Sequence, residues 1–585
     1  MPDETKRNTR KIIAVTVLSI AFIGCTAAGV VAVLFLSSSN DEGNVYSSAA
    51  VAADNGQCSQ VGRDVLQDGG SAVDAAISSM LCIGVVHCDS AGIGGGFFMT
   101  VYSKESGEKL VIDARETAPS QANQTMFVDQ PEKSRAGGLS VAIPGELHGY
   151  WEAHGRFGKL PWKQLFQPAI TIAREGFTIG ASLAKSVRDS EEYVREDPGL
   201  SDLFLNEDGS LKGEGDRCVN GLLADTLESI AAEGPDDFYT GDIASYTVQE
   251  VTQEQGGILT LDDLANYTVA IKQPLQIDFM GHTVLTAPPP SSGAVVLMLL
   301  NIMDAFDLTE EDMMDTDGAV LTYHRFAEAC KFSFAKRADL GDVDFVDGID
   351  SLLDLMTSED FADDVRREIN DTWITYENST LYASYVGSQY YNRHDHGTSH
   401  LSVLAENGDA VSVTSTINNS FGAKFRSLRT GLIINNQMDS FSSPGVVNSD
   451  GIRPSEANFI SPGKRPMSSM SPTLILDKNG NVVMVIGASG SSRMVTSISL
   501  VTMETLVMNN GLQDAVKKPR IHHKWLPNYV EFEQTFRQDY VTGLQKFGHQ
   551  LESSSLFGVV QAIQSYSGKV FAESDARKGG FPAGY

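Results

Sequence analysis

The residues most informative about chemistry lie around position 398, where the sequence reads HDHGTSH. A cut between Gly397 and Thr398 would turn the threonine into a new N-terminus. The freed α-amine has a reference pKa of about 7.7–8.0, so a useful fraction of it is neutral near pH 7. That amine could accept the proton of the hydroxyl group on the same residue and so activate it as a nucleophile. A Gly-Thr pair alone is a weak signal, and this interpretation depends on its surroundings.

The same segment contains three histidines, which makes a metal site the alternative interpretation. His394, His396 and His400 include an H-x-H pair, but no carboxylate or cysteine completes a known ligand spacing. Such clusters are more often ordinary loop residues. We therefore expect neither a metal nor another cofactor here.

Two glycine-rich segments raise further possibilities. Residues 92–96 (GIGGG) look like a phosphate loop, but a strand pattern, FFMTVY, follows them, whereas a phosphate loop opens a helix. We interpret these glycines as allowing close backbone packing. Residues 487–491 (GASGS) lead from a strand pattern into a helix predicted from about Arg493. Backbone N–H groups at such a junction could bind an oxyanion, and a tight strand-to-helix turn is the alternative.

Hydrophobic patterns predict helices that cover antiparallel sheets. Ser71 is a suitable N-cap for an apolar helix, VDAAISSMLCIGVV, and another helix is predicted around His324. Three prolines at 288–290 precede a further apolar helix, VVLMLLNIM. In the C-terminal third, apolar and polar residues alternate on both sides of Asn-Gly pairs at 407–408 and 479–480, which favour hairpins. Together these patterns indicate sheets covered by helices.

The first hairpin suggests which residues share a face. A three-residue loop at 407–409 sets apolar residues opposite each other, whereas a two-residue loop would not. Side chains alternate between the faces of a strand, so this register places Thr398, Thr416 and Asn418 on one polar face. The predicted pairs are Val403 with Val413, Leu401 with Ser415, His400 with Thr416, and Thr398 with Asn418.

Composition narrows the class of protein. The chain has 585 residues, 42% of them hydrophobic, and a formal net charge of -31. So acidic a surface disfavours nucleic acid and anionic membrane surfaces as partners. It suits an exported domain, and an anionic substrate would need a local cationic site.

The N-terminus predicts a membrane anchor. Residues 12–36 are almost wholly apolar, and a helix of about 25 residues can cross the ~30 Å hydrocarbon core. Four basic residues precede this segment: Lys6, Arg7, Arg10 and Lys11. The positive-inside rule then predicts a cytoplasmic tail at 1–11, a stalk at 37–45, and an extracellular remainder at the plasma membrane. A cleaved signal peptide is the alternative, although its apolar region is usually only ~7–15 residues long.

Two other features fit export. Glycosylation sequons occur at Asn123, Asn266, Asn370 and Asn378. Besides Cys25 in the apolar segment, the cysteines are Cys58, Cys82, Cys88, Cys218 and Cys330. Their odd number outside the membrane leaves at least one thiol unpaired or bonded to another chain. The sequence contains no C-x-x-C pair, which disfavours a zinc ribbon.

The segment DHGTSHLSVLAENGDAVSVTSTIN resembles the cleavage-site and nucleophile region of the gamma-glutamyltransferases, also called gamma-glutamyltranspeptidases or glutathione hydrolases. Further matching blocks, from CSQVGRDVLQDGGSAVDAAISSMLCIG to ESDARKGGFPAGY, extend the resemblance over nearly all of the ectodomain. It implies an N-terminal-nucleophile hydrolase fold, a four-layer αββα sandwich of the α/β (α+β) class. It also implies a proenzyme that cuts itself before Thr398, giving a large subunit at 46–397 and a small subunit at 398–585 that share one core. A type II anchor resembles the animal members.

The resemblance also implies roles for individual residues. Arg115, Ser468 and Ser469 match positions that hold the α-carboxylate of the substrate, and a guanidinium fork suits a carboxylate. Cys58 and Cys82 match a family disulfide, whereas the second family disulfide, near Cys218, lacks its partner here. The remaining matches are Thr416, which orients the nucleophile, Asn418, which contacts the γ-glutamyl group, and Gly490 with Ser491, which form the oxyanion pair.

One position departs from the family pattern. Gln437-Met438-Asp439-Ser440 ends in serine where the family has an aspartate that receives the substrate α-ammonium. Loss of a charge-assisted hydrogen bond typically costs ~1.5–3 kcal/mol, which corresponds to roughly ten- to a hundredfold weaker binding. Asp439 could compensate, or substrate preference could have shifted.

The resemblance implies a two-step acyl transfer without a cofactor. Thr398 would form a γ-glutamyl ester from glutathione or its conjugates and pass the acyl group to water, amino acids or dipeptides. One alternative is a family enzyme that prefers other γ-glutamyl donors because of Ser440. Another is an inactive cell-surface paralogue, which retention of Thr398, Arg115, Thr416 and Asn418 argues against.

Overall fold

Two β-sheets stack face to face in the computed structural model, and helices pack against the outer face of each. The structure describes residues 44–375, 397–446, 454–555 and 558–585. Residues 46–585 form one unit, in which the expected layering of helix, sheet, sheet and helix is present. The predicted anchor at 12–36 lies outside the described residues. Within the described ranges, no helix combines the length and apolarity that a membrane span requires.

The strands are mixed with helices along the whole of the described chain. In chain order they are β1 (Val45–Tyr46), β2 (Ala50–Ala53), β3 (Gly96–Tyr102), β4 (Lys109–Ala114), β5 (Phe177–Thr178), β6 (Arg217–Cys218), β7 (Ala270–Lys272), β8 (Leu275–Phe279), β9 (His282–Thr286), β10 (Gly397–Leu404), β11 (Ala410–Asn418), β12 (Thr473–Leu476), β13 (Val482–Ser489), β14 (Ile521–His522), β15 (Val530–Glu533), β16 (Leu551–Ser554), β17 (Val559–Tyr566), β18 (Lys569–Ser574) and β19 (Ala583–Gly584).

The α-helices are α1 (Gly56–Gln67), α2 (Ala72–Val86), α3 (Glu146–Phe157), α4 (Trp162–Glu175), α5 (Ala181–Asp189), α6 (Glu191–Glu196), α7 (Pro198–Phe204), α8 (Gly221–Glu233), α9 (Asp236–Tyr239), α10 (Asp242–Gln249), α11 (Leu261–Ala265), α12 (Gly293–Asp304), α13 (Thr316–Arg337), α14 (Ile349–Met356), α15 (Glu359–Glu368), α16 (Arg493–Leu506), α17 (Leu512–Lys517) and α18 (Gln538–Lys546). A π-helical turn spans Glu250–Glu254, and short 3-10 turns span Pro131–Ser134, Gly138–Ser140, Glu310–Met313, Gln437–Ser440 and Glu456–Asn458.

The sheet that carries Thr398 has the strand order β19-β2-β10-β11-β3-β4-β7, so β10 and β11 lie at its centre. Helices α2 and α3 pack against this sheet. The facing sheet contains β18-β17-β13-β12-β9-β8 in that order, with α12 and α16 on its outer side. The described residues also form two smaller, separately hydrogen-bonded sheets, β14-β15-β16 and β5-β6.

The space between the two main sheets changes character along β10. Near one end it is apolar, with Leu404, Ala410 and Leu474 among the buried residues. Towards Thr398 it becomes polar, and the buried His400 ring contacts a hydroxyl group on each side. Buried polar groups must find partners, so this end of the interface is a hydrogen-bonded network. The predicted polar face is therefore present.

The predicted register of the β10–β11 hairpin is wrong by two residues. Leu401 lies opposite Val413 rather than Ser415, and Thr398 lies opposite Thr416 rather than Asn418. A slip by an even number of residues leaves every side chain on its original face, so Thr398 and Thr416 still face the same way. The remaining predicted pairs shift likewise, to Val403 with Val411 and His400 with Thr414.

Gly408 explains the difference in register. The loop contains 406–408 and is closed by Ala405, whose N–H donates to the carbonyl of Asp409 at 2.9 Å. Three-residue hairpin loops place a left-handed residue last, and Gly408 has a φ of 86°. The prediction had the right loop length but placed this glycine in the middle.

The other elements predicted within the described residues are confirmed. Ser71 caps α2, accepting from the N–H of Asp74 at 3.0 Å while the Asp74 carboxylate accepts from the Ser71 N–H. The prolines at 288–290 end just before α12, and the helix around His324 is α13. The second Asn-Gly hairpin connects β12 with β13.

The glycines before β3 do permit close packing, as expected. A Cβ atom at Gly95 would lie 2.2 Å from the carbonyl oxygen of Thr416, and one at Gly94 would lie 2.3 Å from that of Ile433. Any side chain at these positions would push β11 and its continuation away. These glycines therefore determine how closely the strands around Thr416 approach.

Cys58 and Cys82 form a disulfide between α1 and α2, with Cα atoms 5.4 Å apart, as the resemblance implies. Cys88, Cys218 and Cys330 are buried free thiols. Burial raises the pKa of the Cys88 and Cys330 thiols well above the usual value and that of Cys218 to about 11.

Candidate active site

A single pocket joins Thr398 to Arg115, so the two positions on which the sequence interpretation depends share one cavity. The residues that line it are Arg115, Arg337, Thr398, Thr416, Asn418, Gln437, Ser440, Asn458, Met467, Ser468, Ser469, Ser491 and Met494. The catalytic and substrate-binding residues assigned from the sequence all line it except Asp439 and Gly490. Arg337, Asn458, Met467 and Met494 were not anticipated.

The hydroxyl of Thr416 connects the candidate nucleophile to the bond that would be cut. It donates to the carbonyl oxygen of Gly397 and accepts from the N–H of Asn418 at 2.8 Å. Its Oγ1 lies 3.0 Å from Thr398 Oγ1. A hydroxyl carries one proton, and that of Thr416 is directed at Gly397, so Thr398 donates in this contact.

The backbone at the Gly397–Thr398 bond is irregular. The pairing register shifts between these two residues, with Gly397 opposite Asn418 and Thr398 opposite Thr416. A Cβ atom at Gly397 would lie 2.6 Å from the carbonyl oxygens of both Asn418 and Asn419. Only glycine fits here without displacing β11 or its continuation.

Lys578 supports Thr398 from behind, a contact that the sequence analysis missed. Its Nζ donates to the carbonyl oxygen of Thr398 at 2.8 Å and to Ser399 Oγ at 3.1 Å. It also pairs with Asp54, whose Oδ2 lies 2.6 Å away and whose side chain is fully buried. A charged pair with further hydrogen bonds restrains the backbone of Thr398. The only sequence signal was the ESDARKGGFPAGY block, which did not single out this lysine.

Arg115 also lines the pocket and is buried. Its Nε donates to the carbonyl oxygen of Pro466 at 3.2 Å and one Nη to that of Met467 at 3.4 Å. The other Nη lies 3.3 Å from Oε2 of Glu116. The guanidinium therefore anchors the segment that continues into the two assigned serines.

The two assigned serines lie beside a second guanidinium. The carbonyl of Ser468 accepts from the hydroxyl of Ser292 at 2.6 Å. Arg337, at the end of α13, donates to Ser292 Oγ at 2.8 Å and to Ser469 Oγ at 3.4 Å. This end of the pocket therefore contains two permanent positive charges and two hydroxyl groups, a donor set that suits a carboxylate.

The third side of the pocket consists of neutral groups. Ser440 Oγ accepts from Nε2 of Gln437 at 2.5 Å and donates to Oδ1 of Asn418 at 3.1 Å. Asn458 joins this side to the carboxylate-binding side, because it donates to the carbonyl of Ser440 at 2.8 Å and accepts from the N–H of Met467 at 3.0 Å. Oε1 of Gln437 is buried and accepts no hydrogen bond from the described residues.

Asp439 does not line the pocket, so it does not take the place of the missing aspartate in this structure. Its Oδ1 accepts from the hydroxyl of Ser134 at 2.5 Å, and its Oδ2 accepts from Asn419 at 3.3 Å. Arg135 lies 3.9 Å from the same carboxylate. In this structure the Asp439 carboxylate therefore contacts Ser134 and Asn419 rather than the pocket.

The predicted strand-to-helix turn is confirmed between β13 and α16, which begins at Arg493. Gly490 has a φ of 116° and Ser491 a φ of 57°, so both are left-handed. That conformation is unfavourable for serine, and glycine at 491 would adopt it without strain. Ser491 lines the pocket together with Thr398.

Two buried carboxyl groups lie beneath β11. Burial raises the pKa of Glu146 to about 8, although its hydrogen bonds with Ser415 and Tyr150 oppose the shift. Burial also raises the pKa of Glu116 to about 7, and the adjacent Arg115 only partly offsets it. Both carboxyl groups are therefore substantially protonated near neutral pH, which lowers the cost of burying them.

The histidines around position 398 lie partly outside the described residues, namely His394 and His396. His400 is committed to hydroxyl groups: Nδ1 lies 2.8 Å from Thr414 Oγ1 and Nε2 lies 3.1 Å from Ser402 Oγ. Elsewhere in the described chain, one cluster has metal-ligand spacing: His324, Glu328 and His549. The ammonium group of Lys331 lies 2.6 Å from the Glu328 carboxylate and would repel a cation there.

Comparison with known proteins gives a consistent result. A family model described as gamma-glutamyltranspeptidase matches residues 58–585. The chain is 41% identical to scoloptoxin SSD14 of Scolopendra dehaani, covering 92% of each chain. It is 40% identical to glutathione hydrolase 2 of Arabidopsis thaliana, over 94% of this chain and 97% of that protein. It is 36% identical to the glutathione hydrolase 5 proenzyme of Mus musculus, over 92% and 93% of the two chains.

Solved structures with a similar fold are also found. A cephalosporin acylase from Bacillus halodurans is 25% identical with a TM-score of 0.79, covering 92% of this chain and 96% of that one. The gamma-glutamyltranspeptidase of Helicobacter pylori is 30% identical with a TM-score of 0.51, over 55% of this chain and 91% of that one.

Proposed function

Because the chain belongs to the gamma-glutamyltranspeptidase family, we propose that it is a self-cleaving γ-glutamyltransferase and glutathione hydrolase with Thr398 as its nucleophile. The observation that carries this proposal is the position of the Thr416 hydroxyl. It lies 3.0 Å from Thr398 Oγ1 and donates to the carbonyl oxygen of Gly397. The Thr416 side chain thus contacts both the attacking oxygen of Thr398 and the Gly397 carbonyl group that this oxygen would attack.

Self-cleavage begins with attack of Thr398 Oγ1 on the carbonyl carbon of Gly397. The Thr416 hydroxyl stabilises the negative charge that develops on the carbonyl oxygen. The C–N bond breaks, the proton of the Thr398 hydroxyl ends on the new α-amine, and an ester links Gly397 to Thr398 Oγ. Water then hydrolyses this ester. The products are a carboxylate on Gly397 and a threonine with a free amine and a free hydroxyl.

The mature site then transfers an acyl group. The free amine of Thr398 takes the hydroxyl proton as Oγ attacks the γ-carbonyl of the donor, and backbone N–H groups of Gly490 and Ser491 stabilise the oxyanion. Arg115, Ser468 and Ser469 hold the α-carboxylate. The leaving amine, cysteinylglycine when the donor is glutathione, departs with the proton. Water, an amino acid or a dipeptide then takes the γ-glutamyl group from the ester.

The proposal includes the organisation of the precursor. The large subunit would span 46–397 and the small subunit 398–585. The centre of the Thr398 sheet supports this division, because β10 from the small subunit pairs with β2 from the large one. Strand β11 pairs with β3 in the same way. Such pairing would hold the subunits together after cleavage.

We further propose that the protein is a type II plasma-membrane protein with an extracellular catalytic domain. The support is the apolar segment 12–36 and the basic residues before it. Glycosylation would accompany export, and Asn123 and Asn266 are exposed while Asn370 is half-buried. The fourth sequon, at Asn378, lies outside the described residues.

The test combines maturation with activity in one sample of the full chain. A denaturing gel should show two fragments, and N-terminal sequencing of the smaller should read TSHLSVL. The same sample should hydrolyse γ-glutamyl-p-nitroanilide. A single full-length band without hydrolysis would refute the proposed function, and a different N-terminus would refute Thr398 as the nucleophile.

A further inference from the structure

We infer that the pocket also accepts acyl donors that lack the α-ammonium group, and that it hydrolyses glutaryl amides with an efficiency close to that for γ-glutamyl amides. A glutaryl group has the same five-carbon chain and the same distal carboxylate as a γ-glutamyl group, but hydrogen in place of the ammonium. This inference rests on the proposed function and specifies the donor that the same site takes.

The charges around the pocket are the first support. Arg115 and Arg337 both line it, and no aspartate or glutamate is found among the described residues that do so. The Glu116 carboxyl group, 3.3 Å from Arg115, offsets only part of this charge, because burial raises its pKa to about 7. Two guanidinium groups favour an anionic donor and oppose a cationic substituent. A γ-glutamyl donor brings one carboxylate and one ammonium, so its net attraction to the pocket is smaller than that of a glutaryl donor.

The neutral side of the pocket is the second support. Ser440 Oγ is already engaged, since it accepts from Gln437 at 2.5 Å and donates to Asn418 at 3.1 Å. The only buried oxygen on this side without a partner in the described chain is Oε1 of Gln437. A neutral carbonyl oxygen can accept hydrogen bonds from an ammonium group, but it does not supply the charge that an ammonium needs when it leaves water.

Asp439, the residue next to Ser440 in the chain, does not bring a compensating charge into the pocket. The carboxylate of Asp439 accepts from Ser134 at 2.5 Å and from Asn419 at 3.3 Å. To reach the pocket, this carboxylate would have to break both contacts and rotate past the backbone of the Gln437–Ser440 turn, to which it belongs. The site therefore recognises the carboxylate of the donor strongly and its ammonium weakly.

The reaction itself needs no new group. Thr398 Oγ forms an ester with the glutaryl carbonyl, the C–N bond of the amide breaks, and the hydroxyl proton leaves with the amine. Water then cleaves the ester, which releases glutaric acid and restores the threonine hydroxyl. Every group that takes part lies at the Thr398 end of the pocket, where the two donors are identical.

The test compares γ-L-glutamyl-p-nitroanilide with glutaryl-p-nitroanilide on the mature, full-length enzyme. We expect kcat/KM for the two donors to differ by less than about tenfold. In Ser440→Asp, the ratio should move about ten- to a hundredfold towards the γ-glutamyl donor. The change should appear mainly in KM, because the added charge binds donor and transition state alike.

Ser443→Asp is the matched control, because it adds the same charge three residues away at a half-buried position that does not line the pocket. It should leave the ratio unchanged. Gln437→Glu places a carboxylate on the same side and provides a second variant if Ser440→Asp does not mature. It should shift the ratio in the same direction.

Two results would overturn the inference. One is a preference of the unmodified enzyme for the γ-glutamyl donor of more than about tenfold. The other is an unchanged ratio in both carboxylate variants, which would mean that another group receives the ammonium. Failure of the proposed function looks different, since neither anilide would then be hydrolysed and the chain would remain uncut before Thr398.

Discussion

Two regions of the pocket, one around Thr398 and one around Ser440, differ in the charged groups that contact them. Around Thr398, the hydroxyl of Thr416 and the Lys578–Asp54 pair restrain the reacting residue through short contacts. Around Ser440, neutral side chains contact one another. The proposed chemistry finds its groups around Thr398, whereas none of the described residues that line the pocket around Ser440 is charged. Reaction type and substrate choice can therefore change independently in one cavity.

Thr398→Ala is expected to have the largest effect. It removes the attacking oxygen, so both self-cleavage and anilide hydrolysis should fall by at least about a thousandfold. Thr398→Ser, which keeps a hydroxyl and can still expose an α-amine, is the control and should retain both to a measurable degree. If the alanine variant still matures and turns over substrate, the reactive end lies elsewhere.

Gly397→Ala tests the crowding at the cleavage site. A Cβ atom there would lie 2.6 Å from two carbonyl oxygens, so the scissile bond must move and self-cleavage should slow by about a hundredfold or more. The rate can be followed as loss of the full-length band with time. Gly155→Ala, at a position with no atom within 4 Å of the new Cβ, is the control and should mature normally. Normal maturation of Gly397→Ala would contradict the assigned geometry.

Lys578→Met tests the difference between the two regions by removing a positive charge beside Thr398. The Thr398 backbone would lose a charged donor, so we expect kcat to fall about ten- to a hundredfold with little change in KM. Removal also leaves Asp54 buried without its charge partner, so thermal unfolding should be measured alongside. Lys569→Met, at an exposed lysine, should change neither kcat nor thermal unfolding. A change confined to KM would mean that Lys578 acts on donor binding instead.

Glu146→Gln is expected to have the smallest effect, on stability rather than on turnover. Burial raises the folded-state pKa of this carboxyl group to about 8, above its unfolded value. Its contribution to the free energy of unfolding is therefore full at pH values below the unfolded pKa and is lost as pH rises towards 8. The glutamine variant should show a weaker decline in stability over this window, measured by denaturant unfolding. An identical decline in both proteins would contradict the assigned shift.

Local sequence signals were sufficient for much of the fold. The N-cap at Ser71 and the Asn-Gly pairs identify elements through contacts within a few residues. The register of the first hairpin failed for an equally local reason, since Gly408 needs the last loop position rather than the middle one. Because the error was an even number of residues, the polar face was still predicted.

The sequence predicted those site residues whose roles a family motif implies, and it missed the others. Arg115 and Thr398 come from such motifs, and the structure brings them to one pocket. Lys578 and Arg337 were missed, because their roles depend on contacts with residues 180 and 132 positions away in the chain. Neither periodicity nor composition reports contacts of that range, which depend on how the sheets stack.

The three buried thiols offer a practical consequence. Cys88, Cys218 and Cys330 are held as protonated thiols inside the folded unit, and thiolates are the reactive species. An alkylating reagent should therefore modify them only when the surrounding structure opens. Cys88 and Cys218 are in the core behind the Thr398 sheet, and Cys330 is in the core beneath the facing one. Peptide-resolved alkylation over time would thus show whether the core behind the Thr398 sheet and the core beneath the facing sheet open together or separately. No cysteine would have to be introduced for this measurement.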